Sequence, residues 1–113
     1  MHEMSIAQSV LDIVVQETQN HNVKRVLSVA LKVGELSAVE TESLRFCFEL
    51  LTQGTVAEGA QLDIERVAVT CRCLECGSHF RVQELMFSCA ACGSNRIEML
   101  TGRELSVESF EAE

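Results

Sequence analysis

The chain has 113 residues, of which 47% are hydrophobic, and this is enough for one domain with its own core and a small appendage. Seventeen acidic side chains against nine Lys and Arg give a formal net charge of −8, and no basic stripe is present that would bind nucleic-acid phosphates. Because the N-terminus does not resemble a secretory signal and no apolar run could cross a bilayer, we expect a cytoplasmic protein without membrane contact.

The first predicted element is a helix from Ser5 to about Asn20, in which apolar residues recur at helical spacing. A strand follows, because apolar residues alternate with small or polar ones along residues 27–33. Gly34 is expected to end this strand.

A second helix is predicted after the stretch Ser37-Ala38-Val39-Glu40, which has the hydroxyl-to-carboxylate spacing of a capping box. Its apolar stripe is expected to place Cys47 on the core face, as a small buried hydrophobe rather than a ligand. Gly54 is expected to end the helix.

Two further strands are predicted, at residues 61–70 and 105–111. The apolar residues of the first change phase near residues 65–66, which predicts a bulge there. The fold class is therefore α+β, with a small three-stranded sheet and two helices on one of its faces. Residues 1–70 and 101–113 are predicted to form this domain, and residues 71–100 an inserted lobe.

The inserted segment contains two Cys-x-x-Cys pairs, Cys73/Cys76 and Cys89/Cys92, each followed directly by glycine. Two such turns with four thiolates are typical of a tetrahedral, zinc-ribbon-like Zn(II) site. Since the protein supplies all four ligands and leaves no open position, the zinc is predicted to be structural. Zinc binding would then supply much of the folding free energy of the lobe.

Two neighbouring side chains are alternative zinc ligands. Cys71 lies two residues before Cys73 and would compete for the ion, but a Cys-x-Cys pairing breaks the symmetry of the two turns. His79 follows Cys76 by three residues and would replace a protonated thiolate. We interpret Cys71 as a bystander and His79 as a surface residue.

The first three residues form a second candidate metal site. Initiator methionine is generally retained when the next side chain is large, so Met1 keeps a free amine beside His2. The Met1 amine, the His2 amide nitrogen and the His2 imidazole close two chelate rings on one metal ion, and Glu3 offers a further donor. Such nitrogen and oxygen sets favour Ni(II) or Cu(II), whereas thiolates favour zinc. The ordinary alternative is that His2 is a surface residue without a metal.

The whole chain resembles the HypA/HybF family of nickel metallochaperones for [NiFe]-hydrogenase maturation. The resemblance rests on the two cysteine pairs and on Met1-His2-Glu3-Met4-Ser5, Lys24-Arg25-Val26, Val33-Gly34-Glu35-Leu36-Ser37, Val39-Glu40, Leu44-Arg45-Phe46-Cys47-Phe48 and Gly54-Thr55-Val56-Ala57-Glu58-Gly59.

This resemblance implies a nickel site centred on His2, with the Met1 amine and Glu3 as further ligands and Glu40 as a supporting acidic residue. It implies a zinc site at Cys73, Cys76, Cys89 and Cys92. It also implies a HypB-type GTPase and the hydrogenase large subunit as partners, with urease served in some members, and leaves a homodimer open.

Two other functions have to be weighed against nickel delivery. A zinc-ribbon module would bind a protein or nucleic acid without transporting metal. A Cys-x-x-Cys thiol oxidoreductase would require an exposed cysteine with a low pKa. No constellation of nucleophile, base and oxyanion-stabilising groups is evident, so we do not expect an enzyme.

Overall fold

The computed structural model describes residues 2–113 and contains two helices and six strands. The helices are α1 (Glu3–Gln19) and α2 (Thr41–Thr52), and a 3₁₀ turn covers Glu35–Ser37. The strands are β1 (Val26–Gly34), β2 (Gln61–Val67), β3 (Thr70–Cys73), β4 (His79–Arg81), β5 (Ile97–Thr101) and β6 (Leu105–Ala112). In this part of the chain, neither helix has the length and apolar character needed to span a membrane.

The chain divides into two compact units, each with a three-stranded sheet. The first unit comprises residues 1–32, 38–65 and 106–113, and the second comprises residues 33–37 and 66–105. The strand orders are β2-β1-β6 and β4-β3-β5. The predicted α+β class with a four-cysteine lobe is confirmed.

The core of the first unit follows from the periodicity of α1 and β1. Side chains at spacings of three and four residues along α1 are buried, whereas alternate side chains are buried along β1. The second helix adds Leu44 and Phe48, both essentially inaccessible to solvent. Cys47 is only half-buried, so the expectation that it would be a core residue is met in part.

The start of α2 differs from the predicted capping box. Glu40 is the N-cap residue, and its own carboxylate accepts a hydrogen bond from Glu42 N at 3.0 Å. Ser37 instead belongs to the 3₁₀ turn, where its hydroxyl donates to the Gly34 carbonyl at 2.7 Å. The prediction was wrong because the Ser37 hydroxyl bonds to Gly34, three residues earlier, and because α2 begins only at Thr41.

The predicted strand at residues 61–70 is two strands rather than one with a bulge. β2 ends at Val67 in the first sheet, and β3 begins at Thr70 in the second. The change of apolar phase near residues 65–66 therefore precedes the passage of the chain from one sheet to the other. Strands β4 and β5 were not predicted, because three and five residues are too few for their alternation to stand out in the sequence.

The second unit has a small core centred on β3. Val69, Cys71 and Val82 are buried, and half-buried side chains pack against them: Leu36, Phe80, Ile97 and Met99. Cys71 of β3 lies opposite Phe80 of β4 on one side and Met99 of β5 on the other. With so few apolar residues, this unit needs a further source of stability.

Candidate metal centres

The four cysteines of the two Cys-x-x-Cys pairs converge in the second unit. Cys73 ends β3, Cys76 follows in a turn, and Cys89 and Cys92 lie in the turn before β5. Their sulfur atoms all lie within 4.8 Å of one another. Two of the Sγ–Sγ distances are 3.6 Å (Cys73–Cys92) and 3.5 Å (Cys76–Cys89).

The two turns share the same backbone geometry. Gly77 N donates to the Cys73 carbonyl at 3.0 Å, and Gly93 N donates to the Cys89 carbonyl at 2.8 Å. The two glycines have φ values of 79° and 78°, in the left-handed region that other residues rarely adopt. The sequence therefore encodes two copies of one tight turn, each aiming two thiols at a common point.

Backbone amides also point at the sulfur atoms. Cys76 N donates to Cys73 Sγ and Cys92 N donates to Cys89 Sγ, both at 3.4 Å. Because a hydrogen bond to a thiolate stabilises its charge, the Cys76 amide lowers the pKa of the Cys73 thiol.

The sulfur spacing fits a zinc ion. A tetrahedron with Zn–S bonds of about 2.3 Å has sulfur–sulfur edges of about 3.8 Å. The two distances given above are close to this value and far longer than the ~2.05 Å of a disulfide. All six cysteines are free thiols. A set of four thiolates favours Zn(II), whereas nitrogen and oxygen donors favour Ni(II). Four protein ligands also leave no coordination position open for a substrate.

Two of the clustered thiols, Cys76 and Cys92, differ widely in pKa. The hydrogen bond between Cys76 Sγ and the Ser78 hydroxyl at 3.1 Å is the largest of the effects that lower the pKa of Cys76 to about 6. The Ser94 amide lowers the pKa of Cys92, but the adjacent Cys73 thiol and burial outweigh it and raise this pKa to about 12. Neighbouring thiolates repel one another, and a bound cation would balance their charge.

Neither alternative zinc ligand joins the group. Among the described residues, the cluster consists of the four paired cysteines alone. Cys71 is fully buried in the core of the second unit, and burial raises the pKa of its thiol. His79 is exposed on β4, where it pairs with Arg72 of β3.

At the N-terminus, the predicted ligand Met1 lies outside the described residues, whereas His2 is the N-cap residue of α1. His2 is exposed, with φ −85° and ψ 91°, and its side chain makes no capping hydrogen bond. The first hydrogen bond of the helix runs from Ile6 N to the His2 carbonyl at 3.2 Å. Because the first amides of a helix have no partner within it, the amide nitrogens of His2 and Glu3 are not used by α1.

The two helices of the first unit begin side by side. Glu3 Oε2 accepts a hydrogen bond from Glu40 N at 3.3 Å, although the two residues are 37 positions apart. The backbone at the N-cap of α2 is thereby brought next to the Glu3 carboxylate. The structure thus brings Glu3 and Glu40 into contact in the described part of the first unit, and His2 directly precedes Glu3.

Comparison with known proteins gave consistent results. Residues 1–112 match the family model described as "Hydrogenase/urease nickel incorporation, metallochaperone, hypA". A protein named hydrogenase maturation factor HypA from Chlorobaculum tepidum is 45% identical over 113 residues, with both chains fully covered. Its namesake from Geotalea daltonii is 47% identical over 110 residues, or 97% of each chain.

A solved structure is also similar to this chain. It is the solution structure of the Ni metallochaperone HypA from Helicobacter pylori, with 25% sequence identity and a TM-score of 0.70. The match covers 99% of the present chain and 97% of the other.

Proposed function

The chain belongs to the HypA family of metallochaperones for nickel incorporation, and from this premise we propose that it binds Ni(II) at its N-terminus and delivers it during [NiFe]-hydrogenase maturation. The proposed ligands are the Met1 amine, His2 and Glu3. The observation that carries the proposal is that the His2 imidazole is exposed and takes no part in capping α1.

The position of His2 at the helix start suits a terminal chelate. The proposed chelate consists of the Met1 amine, the His2 amide nitrogen and the His2 imidazole. It requires an amide that donates no hydrogen bond to a backbone carbonyl, and the first amides of a helix meet this condition. An amide nitrogen that releases its proton to solvent when it binds the metal is negatively charged, and the positive end of the helix dipole stabilises this charge.

Glu40 supports this site in the proposal, and it is not a ligand. Its carboxylate is occupied as the cap of α2, because Oε1 accepts from Glu42 N. A negative charge near the chelate attracts a divalent cation, and the hydrogen bond from Glu40 N to Glu3 orients the Glu3 carboxylate.

In this proposal the four-cysteine cluster holds structural zinc and takes no part in transport. A thiolate cage without an open position releases its metal slowly, whereas a terminal chelate exposed to solvent can exchange ligands with an acceptor. We propose that the acceptor is the hydrogenase large subunit and that a HypB-type GTPase assists. The cytoplasm is the compartment in which the thiols stay reduced for zinc.

Calorimetric nickel titration of the zinc-loaded protein tests this function. The native chain is expected to bind one Ni(II), and His2→Ala and a variant with one additional N-terminal residue are expected to lose this binding. His21→Ala is the matched control, because His21 is also exposed but lies beyond the end of α1. If both N-terminal variants keep the native affinity, the chelate does not exist.

A further inference from the structure

The solvent side of α2 carries two large apolar side chains. Phe46 and Leu50 are 60% and 44% exposed, respectively. Each lies two positions from the buried Phe48, which is about 200° around a helix at about 100° per residue. Both therefore lie on the opposite side of the helix from the core. Since they are four residues apart, they are neighbours on the helix surface.

Single exposed apolar residues are common and need no explanation. This pair differs because it includes an aromatic side chain and is continuous along one face of a short helix. Met4, 46% exposed in the first turn of α1, adds apolar surface one residue from the proposed chelate. Exposed aromatic residues in such a position are typical of interface hot spots.

The charge of the two helices indicates which surface would cover this pair. Together, α1 and residues 40–52 contain six carboxylates and one arginine, a formal net charge of −5. The arginine, Arg45, is bound to its own unit: Nε donates to the Leu62 carbonyl at 3.3 Å, and Nη1 contacts Glu42 at 2.6 Å. The two helices of this unit therefore combine an exposed apolar pair with a net negative charge, and Glu49 lies beside that pair in the sequence of α2.

We infer that the face of α2 formed by Phe46 and Leu50 is the docking surface for the protein that receives the nickel, and that this protein meets it with apolar side chains flanked by Lys and Arg. The inference rests on the proposed function, because it assigns the acceptor of the metal to this surface. Apolar contacts supply affinity, and opposite charge speeds encounter and fixes orientation.

The location of this face suits transfer. The N-cap residue of α2 is Glu40, whose amide donates a hydrogen bond to Glu3 of the proposed chelate. At about 1.5 Å per residue, Phe46 and Leu50 lie about 9 and 15 Å from Glu40 along the helix axis. An acceptor seated on them would thus lie near the proposed nickel ligands without covering the N-terminus itself. Delivery then needs only a ligand exchange over a short distance.

The test is the affinity of the nickel-loaded full chain for purified hydrogenase large-subunit precursor, measured by biolayer interferometry. Phe46→Ser/Leu50→Ser is expected to raise Kd at least ~10-fold, the effect of losing an apolar hot spot. Glu49→Lys, which reverses a charge beside the pair, is expected to weaken binding as well. Raising the salt concentration is expected to weaken binding of the native chain.

The matched control is Leu85→Ser/Met86→Ser. These residues are the most exposed large hydrophobics of the four-cysteine unit, at 71% and 65%. Their substitution is expected to leave Kd unchanged. The inference is overturned if this control weakens docking while the α2 variant does not. It is also overturned if sedimentation shows that the α2 variant only dissociates a homodimer and keeps native affinity for the precursor.

Failure of the docking face can be told apart from failure of the chelate. The α2 variant is expected to keep native nickel affinity, whereas His2→Ala is expected to dock normally without binding nickel. Native nickel affinity in His2→Ala, together with weak docking of the α2 variant, would refute the chelate and support the docking face. The reverse pair of results would refute the docking face alone.

Discussion

Gly34 lies directly against Gly102 within the second unit. A Cβ atom added at Gly34 would come within 2.2 Å of the carbonyl carbon and oxygen of Gly102, closer than real Cβ contacts allow. The amide of Gly34 donates to the Glu104 carbonyl at 2.7 Å, and Leu36 N donates to the Gly102 carbonyl at 2.8 Å. Two segments far apart in sequence thus pass each other at van der Waals distance, which only glycine permits.

Substitution at this crossing is expected to be severely destabilising. Gly34→Ala must displace backbone atoms, so we expect a loss of about 3 kcal/mol or more in the free energy of unfolding, near the upper end for single substitutions. Gly54→Ala is the control, since Gly54 has φ +77° but no neighbour within 4 Å. Its cost should be only about 1 kcal/mol, from the left-handed backbone. Equal effects in urea denaturation would contradict the close approach.

Removal of zinc is expected to unfold the four-cysteine unit. Its core is small, and metal binding supplies a large share of the folding free energy of such units. Before chelation, a thiol reagent should modify at most Cys47, which is half-buried and outside the cluster. After a strong chelator is added, the four cluster thiols should react together, as counted by mass spectrometry. Four thiols that react equally well without a chelator would argue against bound zinc.

The two buried cysteines of β3 are expected to respond differently to substitution. Cys71→Ala leaves a small cavity in the core, so it should lower stability by about 1–2 kcal/mol and keep one zinc per chain. Cys73→Ala removes a proposed zinc ligand, so zinc content should fall and the unit should lose its fold. Metal analysis after gel filtration measures both, and loss of zinc from Cys71→Ala would make this cysteine a ligand.

Glu40→Gln tests whether Glu40 supports nickel binding through its negative charge or as a direct ligand. The amide oxygen can still cap α2, so the thermal midpoint should stay close to the native value. Loss of one nearby negative charge should cost nickel binding about 1 kcal/mol, roughly a fivefold change in affinity by calorimetry. A loss as large as that of His2→Ala would make Glu40 a ligand, and no loss would remove it from the site.

The elements with clear periodicity could be predicted, and those whose form depends on distant partners could not. The burial of α1 and the central strand β1 follow from spacings of three to four and two residues. The capping-box prediction failed at Ser37, whose hydroxyl bonds to the carbonyl of Gly34, because a local motif cannot show which of two partners is nearer. Likewise, the phase change near residues 65–66 gave no sign that the chain was entering a second sheet.

The candidate sites were predictable to different degrees for a similar reason. Each cysteine pair is a local signal, so the convergence of the four thiols followed from two short motifs and their glycines. The contact between Glu3 and Glu40 joins the starts of two helices, and neither residue carries a signal for the other. The apolar stripe of α2 predicted its buried face, but the extent to which Phe46 and Leu50 remain exposed is known only once the helix is packed.

The most direct test of the whole account is X-ray absorption at the nickel edge, on full-length protein loaded with one Zn(II) and one Ni(II) per chain. If the two donor sets have separate roles, nickel is surrounded only by nitrogen and oxygen, and this nickel signal disappears in His2→Ala. The zinc edge then shows four sulfur ligands. Nickel bound to sulfur, with His2→Ala unchanged, would contradict it.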